Sequence, residues 1–246
     1  GPFRHAPLLQ NVASAWFPPL FEDCFNDSTS NVTDYALAYL RSQKKGKFFL
    51  WIFLMDPHAP VDPPTKYRTA EGPWPVFWPY AIQQRWGCPN VDAGETVSEN
   101  DRPYVRSLYC GEARHVDDTV SAVLAAISPI ADSTYVCFTS DHGEELWDHG
   151  FWGHGHSMYE EVVRTPWLIA GPRIRSQQIT EAVSAVDLAP TLVGLTGASP
   201  DTSWIGKDLT PALCDVSAVP ERPCFARGCM TGPQIDPLEM VVSKGR

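Results

Sequence analysis

"STYVCFTSDHGEELWDHGFWGHGHSMYEEVVRTPWLIAG" spans residues 133–171. It opens on a short run rich in β-branched and aromatic residues (133–140) and closes on "TPWLIAG" (165–171); both read as buried strands. Between them, "SMYEEVVR" (157–164) fits a short helix. Strand, polar turn, helix and strand in this order predict an α/β domain, a mixed sheet flanked by helices on both faces. Ligands of open α/β sheets sit beyond the carboxyl ends of the strands. The first strand runs straight out into Asp141, His142 and Gly143. Four of the seven histidines fall between His142 and His156, beside Asp141, Glu144, Glu145 and Asp148.

The same pattern extends outward. "KFFLWIFLM" (47–55) is a continuous apolar run that suits a strand buried on both faces, and it ends in "MDPHAP", with Asp56 and His58. If the strands are parallel, both polar clusters share one rim. "DSTSNVTDYALAYLRSQ" (27–43) reads as a helix capped by Ser, Thr or Asn and ended by Gly46. "GEARHVDDTVSAVLAAIS" (111–128) reads as an amphipathic helix with Val116, Val120, Val123, Leu124 and Ile127 on its apolar stripe. "DLAPTLVGLTG" (187–197) reads as a helix with Asp187 as N-cap and Gly197 as C-cap. "QQITEAVSAV" (177–186) fits an edge strand. Residues 56–109 read as a long loop, and "EGPWPVFWPYAIQQRWG" within it as a Pro/Trp-packed cover over the core or, second, as the wall of a cleft. Beyond residue 203 the composition shifts to Pro, Cys and short apolar runs. The expected organisation is a catalytic α/β domain over 1–203 and part of a small C-terminal subdomain over 204–246.

The chain has 246 residues, 43% of them hydrophobic, enough for a sizeable core. Its net charge of -10 argues against nucleic acid or an anionic membrane as partner. No apolar run has the length of a transmembrane helix. Of seven cysteines, Cys137 sits in an apolar run and reads as a core residue. Cys24, Cys88, Cys110, Cys214, Cys224 and Cys229 lie in loop-like sequence, where some can pair. The sequons at Asn26 and Asn31 hint at a secreted setting.

Asp141 and His142 are the candidate metal ligands. A tight Asp-His-Gly turn can present both to one ion, with Gly143 supplying backbone freedom. His154 and His156 alternate in "GHGHS", so in an extended chain both face one way and can meet an anionic oxygen or protonate a leaving group. His149 reads as a solvated imidazole, His115 as a structural helix residue, and His5 carries no argument. A structural zinc site on His149, His154 and His156 ranks last, for want of a fourth ligand at convincing spacing.

"FTSDHGEELWDHGFWGHGHSMYEEVVRTPWLIAGP" resembles the C-terminal half of the sulfatase catalytic domain, in the alkaline phosphatase superfamily. "FFLWIFLMDPHAP", "YCGEARHVDDTV", "AVSAVDLAPTLVGLTG" and "PLEMVVSKGR" match in the same order, covering about residues 28–246. The resemblance implies an alkaline-phosphatase-like α/β fold followed by the start of a small α+β C-terminal subdomain. It implies that Asp141 and His142 are ligands of a divalent metal: calcium first, with manganese, magnesium or zinc as alternatives, since an imidazole suits zinc or manganese better than calcium. It implies that His58 contacts the sulfate ester, and that His156 stands where many relatives carry Lys, which would make anion binding more pH-dependent. His154 is a secondary substrate contact. Arg164 and Asp187 match recurrent positions and read as structural.

The family nucleophile lies in Cys- or Ser-x-Pro-x-Arg, with the Cys or Ser oxidised to formylglycine. No such motif occurs in this sequence; "AVPER" (218–222) has Ala218 at that position. The resemblance thus implies a C-terminal part of a sulfatase, inactive alone, whose formylglycine belongs to a missing N-terminal segment needed to complete the site. The expected reaction is hydrolysis of a sulfate ester of a sugar or small alcohol, with His58 and His156 as catalytic groups. The expected compartment is secreted, periplasmic or lysosome-like. The alternatives are a phosphoester or phosphonate hydrolase of the same superfamily, and a non-catalytic homologue that binds through its tryptophan patch.

Overall fold

The structure is a computed structural model that describes residues 28–42, 46–58, 61–69, 99–215, 217, 219, 221–228 and 238–242. The tryptophan patch at 71–87, the sequon at Asn26, and Cys24, Cys88 and Cys229 lie outside the described residues. The chain forms two units: residues up to Gln84 with Glu99–Pro129, and Arg85–Ser98 with Ile130–Arg246.

Among the described residues of the first unit are the helices α1 (Thr29–Ser42) and α2 (Arg102–Ile127). α1 starts where expected. The Asn31 backbone N–H donates to the Ser28 hydroxyl at 3.4 Å, a helix-start contact that uses a donor with no partner inside the helix. Its buried residues Thr29, Val32, Ala36 and Leu40 recur at helical spacing and face α2. α2 begins nine residues before the expected start, inside the stretch read as loop, because Pro103 fits a first helical turn. Its buried face also differs from the expected one. Val105, Leu108, Glu112, His115 and Thr119 are buried, whereas Leu124 is exposed. Of the expected stripe Ile127 is buried and Val116, Val120 and Val123 are half-buried; the packed face is shifted toward Glu112, His115 and Thr119 because α1 and the 61–67 loop offer them polar partners. Thr33 and Thr119 hydroxyls meet at 3.0 Å, and Ser30 Oγ lies 3.3 Å from His115 Nε2. The Asp62 backbone N–H donates to Glu112 Oε1 at 2.5 Å, and the Tyr67 hydroxyl donates to Asp118 at 2.5 Å. A side chain at Gly111 would lie 2.7 Å from Pro63 Cγ, so this loop seats directly on the helix.

Residues 47–55 are extended but lie outside the β-ladders, contrary to the expected buried strand. Phe49, Trp51 and Phe53 are exposed while Phe48, Leu50, Ile52 and Leu54 are half-buried. The alternation is that of extended chain. An apolar run reports that conformation, whereas burial on both faces depends on neighbours distant in sequence.

The second unit contains β1 (Val136–Thr139), β2 (Glu145–Leu146), β3 (Trp152–Gly153), α3 (Glu160–Val163), β4 (Trp167–Ala170), α4 (Leu188–Thr196), α5 (Thr210–Cys214), β5 (Cys224–Gly228) and β6 (Leu238–Val242). The described strands form three two-stranded antiparallel ladders, β1–β4, β2–β3 and β5–β6, in place of the single mixed sheet expected. β1 and β4 are where the sequence puts them, but they are not buried on both faces: Leu168 is 62% exposed. Residues 177–186 form no strand; their end turns into a 3₁₀ turn at Ala185–Asp187. Loose alternation there reflects Ile179 and Val183 packing on Leu209, Ala212 and Val219.

α4 ends as expected, with Gly197 at φ 71°. Asp187 stands at the expected N-cap position, but its side chain makes no capping bond to α4. The fully buried carboxylate accepts from Ser184 N at 3.0 Å and Lys207 N at 2.7 Å, and pairs with Arg222. Lys207 and Arg222 are thus bonded to Asp187 at the start of α4. Cys110, Cys137, Cys214 and Cys224 are free thiols, and burial pushes that of Cys137 up. Among the described residues no helix is long and apolar enough to cross a membrane.

Candidate metal and anion site

β1 and β4 pair with Thr139 opposite Trp167, so the Asp-His-Gly turn leaves β1 beside the chain entering β4. The Gly143 backbone N–H donates to Val162 O at 2.8 Å, which pins the turn to α3. Contrary to expectation, Gly143 does not adopt a positive φ. Its need is space: a Cβ would lie 2.0 Å from the Glu161 carbonyl oxygen. Gly143→Ala is therefore expected to destabilise the chain by about 1–3 kcal/mol through overpacking. Urea unfolding checks this, and an unchanged midpoint would contradict it.

Asp141 is 71% exposed on its side chain, and its Oδ1 accepts the His142 backbone N–H at 2.9 Å. His142 Nδ1 lies 2.9 Å from the Gly143 carbonyl. A carbonyl only accepts, so Nδ1 carries the proton and Nε2 presents its lone pair; second contacts of this kind orient metal-binding histidines. That Nε2 lies 3.7 Å from Asp141 Oδ2, close enough for one ion to take both as ligands.

The two glutamates after the turn point to different partners. Glu144 Oε2 is 2.9 Å from His154 Nδ1, and the His154 ring lies 3.9 Å from that of His142, centroid to centroid. The Glu144 side chain is 7% exposed, and its Oε1 is buried with no hydrogen bond. Glu145 is fully buried and well served. Its Oε1 accepts from His149 N at 3.1 Å and Phe151 N at 3.4 Å; its Oε2 accepts from Ser157 Oγ at 3.2 Å and faces His156 Nε2 at 3.1 Å.

His154 and His156 therefore do not share one set of neighbours, as strict alternation would give. Gly155 lies between them at φ 82°, which breaks the extended geometry. His149 is structural, stacked on Tyr159 at 3.5 Å and 3.3 Å from Glu161 Oε2. Arg164 meets Glu160 at 3.4 Å in an exposed pair of little energetic weight. The structure thus gathers Asp141, His142, Glu144 and His154, with His156 held on Glu145.

His58 belongs to the first unit, in a turn where its N–H donates to Met55 O at 2.8 Å after a cis Asp56–Pro57 bond. Asp56 Oδ2 lies 3.3 Å from His115 Nδ1, near enough for an ion pair but not aligned for a hydrogen bond. Beneath this turn Glu112 is 2% exposed, and burial, reinforced by the negative charges of Asp56 and Asp62, pushes its carboxyl up to about 9. Sequence reasoning missed Glu112 and assigned no role to Glu144 or Glu145. The available signal was a pair of glutamates directly before the apolar Leu146 and Trp147, where burial demands partners.

The donor set fits a divalent ion. It combines the Asp141 carboxylate with a His142 imidazole whose Nδ1 is committed to Gly143 O, 3.7 Å apart at one turn.

A sulfatase family profile matches residues 3–198. The multifunctional alkaline phosphatase superfamily protein PehA of Trinickia caryophylli is 31% identical over 219 residues, covering 78% of this chain and 42% of PehA. Arylsulfatase K of Xenopus laevis is 37% identical over 112 residues, 44% of this chain and 21% of the relative. The chain thus spans less than half the length of either. A solved structure in complex with its substrate D-glucosamine-2-N,6-O-disulfate superposes with a TM-score of 0.66 at 17% identity, over 88% of this chain and 59% of that one. The last comparison establishes the fold, and the match over residues 3–198 establishes the lineage: this chain belongs to the sulfatase family of the alkaline phosphatase superfamily.

Proposed function

We propose that this chain forms part of a metal-dependent hydrolase of sulfate esters, acting on a sulfated sugar or small alcohol. The observation that carries the reading is the Asp141–His142 turn, in which one hydrogen bond to Gly143 O leaves His142 Nε2 facing the Asp141 carboxylate. Asp141 and His142 would hold the ion, calcium by family resemblance, although the imidazole fits manganese or zinc better. A bound ion supplies Lewis-acid polarisation of a sulfate oxygen. The protein's own groups do the rest. Gly143 O fixes the His142 tautomer. His58 and His156 bind the anion or hand a proton to the leaving oxygen. Glu145 holds the His156 ring in one orientation, as a base-orienting carboxylate does. His154 is a neighbouring contact. These 246 residues contain no Cys- or Ser-x-Pro-x-Arg, so turnover needs a nucleophile from outside them and the chain alone is inert.

A second reading, a phosphoester or phosphonate hydrolase, has one specific support: the 31% identity to a protein described as multifunctional within the superfamily. Sulfate and phosphate esters share tetrahedral geometry, so a comparison of matched substrates separates the two. The natural-length protein is expected to turn over 4-nitrophenyl sulfate with the higher kcat/KM. A higher value for 4-nitrophenyl phosphate would replace the sulfatase reading with the second.

A further inference from the structure

The Asp141–His142 pair is not the only set of ligands that can use His142. One nitrogen or oxygen from each of His142, Glu144 and His154 lies within 4.8 Å of the others. We propose that these three residues form a site for a first-row transition ion of the zinc class, with a ligand set distinct from the Asp141–His142 pair.

Donor chemistry comes first. Two imidazoles and one carboxylate are borderline donors, matched to zinc and its neighbours and poorly matched to calcium, which collects oxygens. Three such protein ligands with a fourth position open are the pattern of accessible zinc sites. Geometry agrees. Ligand atoms about 2.0–2.2 Å from a tetrahedral ion lie a little over 3 Å apart, so the three atoms, within 4.8 Å of one another, draw together on binding. Glu144 Oε2 and His154 Nδ1 are held 2.9 Å apart by a hydrogen bond, which keeps the two side chains together in the cluster.

A second observation is independent of the cluster. Glu144 is 7% exposed on its side chain, and its Oε1 is buried with no hydrogen bond. A buried carboxylate oxygen without a donor is costly and calls for a partner. An ion pair with His154 alone satisfies Oε2 and leaves Oε1 as it is, whereas a cation held by the carboxylate serves the whole group. His142 is also prepared, since its Nδ1 is committed to Gly143 O and its Nε2 is left to ligate.

Because His142 serves both sets, the two occupancies exclude one another. Zinc-class ions would then compete with a harder ion that prefers Asp141. The inference concerns metal selectivity; it shares with the proposed function His142 as a ligand and His154, there a neighbouring contact of the anion.

Isothermal titration calorimetry of the metal-free 246-residue chain with zinc chloride tests it, with cobalt(II) absorption spectra as a second readout. Zinc is expected to bind at one ion per chain. Glu144→Ala and His154→Ala should each weaken it at least tenfold and bleach the cobalt d–d bands. Asp141→Asn should change zinc affinity by less than about threefold. Circular dichroism confirms that each variant is folded, and Glu144→Gln, which keeps shape and loses charge, stands in if Glu144→Ala is not. Zinc binding that depends on Asp141 but not on Glu144 or His154 would place the ion on the Asp141–His142 pair, overturning the inference while leaving the proposed function intact. Absence of saturable zinc binding by the folded chain would also overturn it, whatever calcium or manganese does.

Discussion

Replacing Glu145 with alanine is expected to destabilise the chain by about 3–5 kcal/mol, the range for removing one partner from a buried charged network. The carboxylate is fully buried and takes four donors: the His149 and Phe151 backbone N–H groups, the Ser157 hydroxyl and the His156 ring. These contacts fold residues 145–157 back on themselves around the Trp147–Trp152 ring pair, whose centroids lie 4.7 Å apart. Truncation leaves two backbone donors without an acceptor, each costing roughly 1–3 kcal/mol where water cannot reach. Glu145→Gln keeps an acceptor for those donors and should lose about half as much. Urea denaturation of the two variants beside wild type measures both values. A loss below about 1 kcal/mol for the alanine variant would mean that the loop is held by something else.

The second large effect is a pH dependence in the first unit. Glu112 has its carboxyl pushed from the ordinary 4.5 to about 9, by burial first and then by the charges of Asp56 and Asp62, against the opposing hydrogen bond from Asp62 N. Between those pH values the native state holds a proton that the unfolded state has released. Stability from this group is therefore complete below about pH 4.5 and is lost as pH rises toward 9, with a slope approaching about 1.4 kcal/mol per pH unit. Glu112→Gln keeps the acceptor for Asp62 N and removes the titration. Its stability relative to wild type should rise steadily from pH 5 to pH 8. Parallel wild-type and variant profiles across that window would show that Glu112 is ionised in the folded chain.

Both effects come from residues whose importance the sequence hid. The helices were legible where their signals are local, as with Ser28 before α1 and Gly197 closing α4, whereas the Pro103 start of α2 lay in a stretch read as loop. Sheet pairing was not. Cys137 meets Ile169 across 32 positions, and nothing in either run states that the ladder is antiparallel. α2 was read from its valines, while the surface that packs carries Glu112, His115 and Thr119, because its partners across the interface are Ser30, Thr33 and the Asp62 amide. The site was half legible for the same reason. Asp141, His142 and His154 come from one short stretch that folds on itself, so a cluster in sequence became a cluster in space. Glu144 and Glu145 look alike in sequence, yet one lies beside His154 with an oxygen unsatisfied and the other is saturated by four donors. Only the turn geometry of 147–155, with Trp147 at φ 65° and Gly155 at φ 82°, separates them.

In the proposed function, Asp141 and His142 hold the ion on which sulfate-ester hydrolysis depends. The most direct test is aryl sulfate turnover by the natural-length protein and its Asp141→Asn variant, after chelation and again with saturating divalent metal. Wild type should lose activity on chelation and recover it with metal. The variant should remain slower by about 10²–10³-fold, the equivalent of roughly 2.7–4 kcal/mol of transition-state stabilisation. An Asp141→Asn enzyme with wild-type turnover, or a wild type indifferent to chelation, would contradict the account.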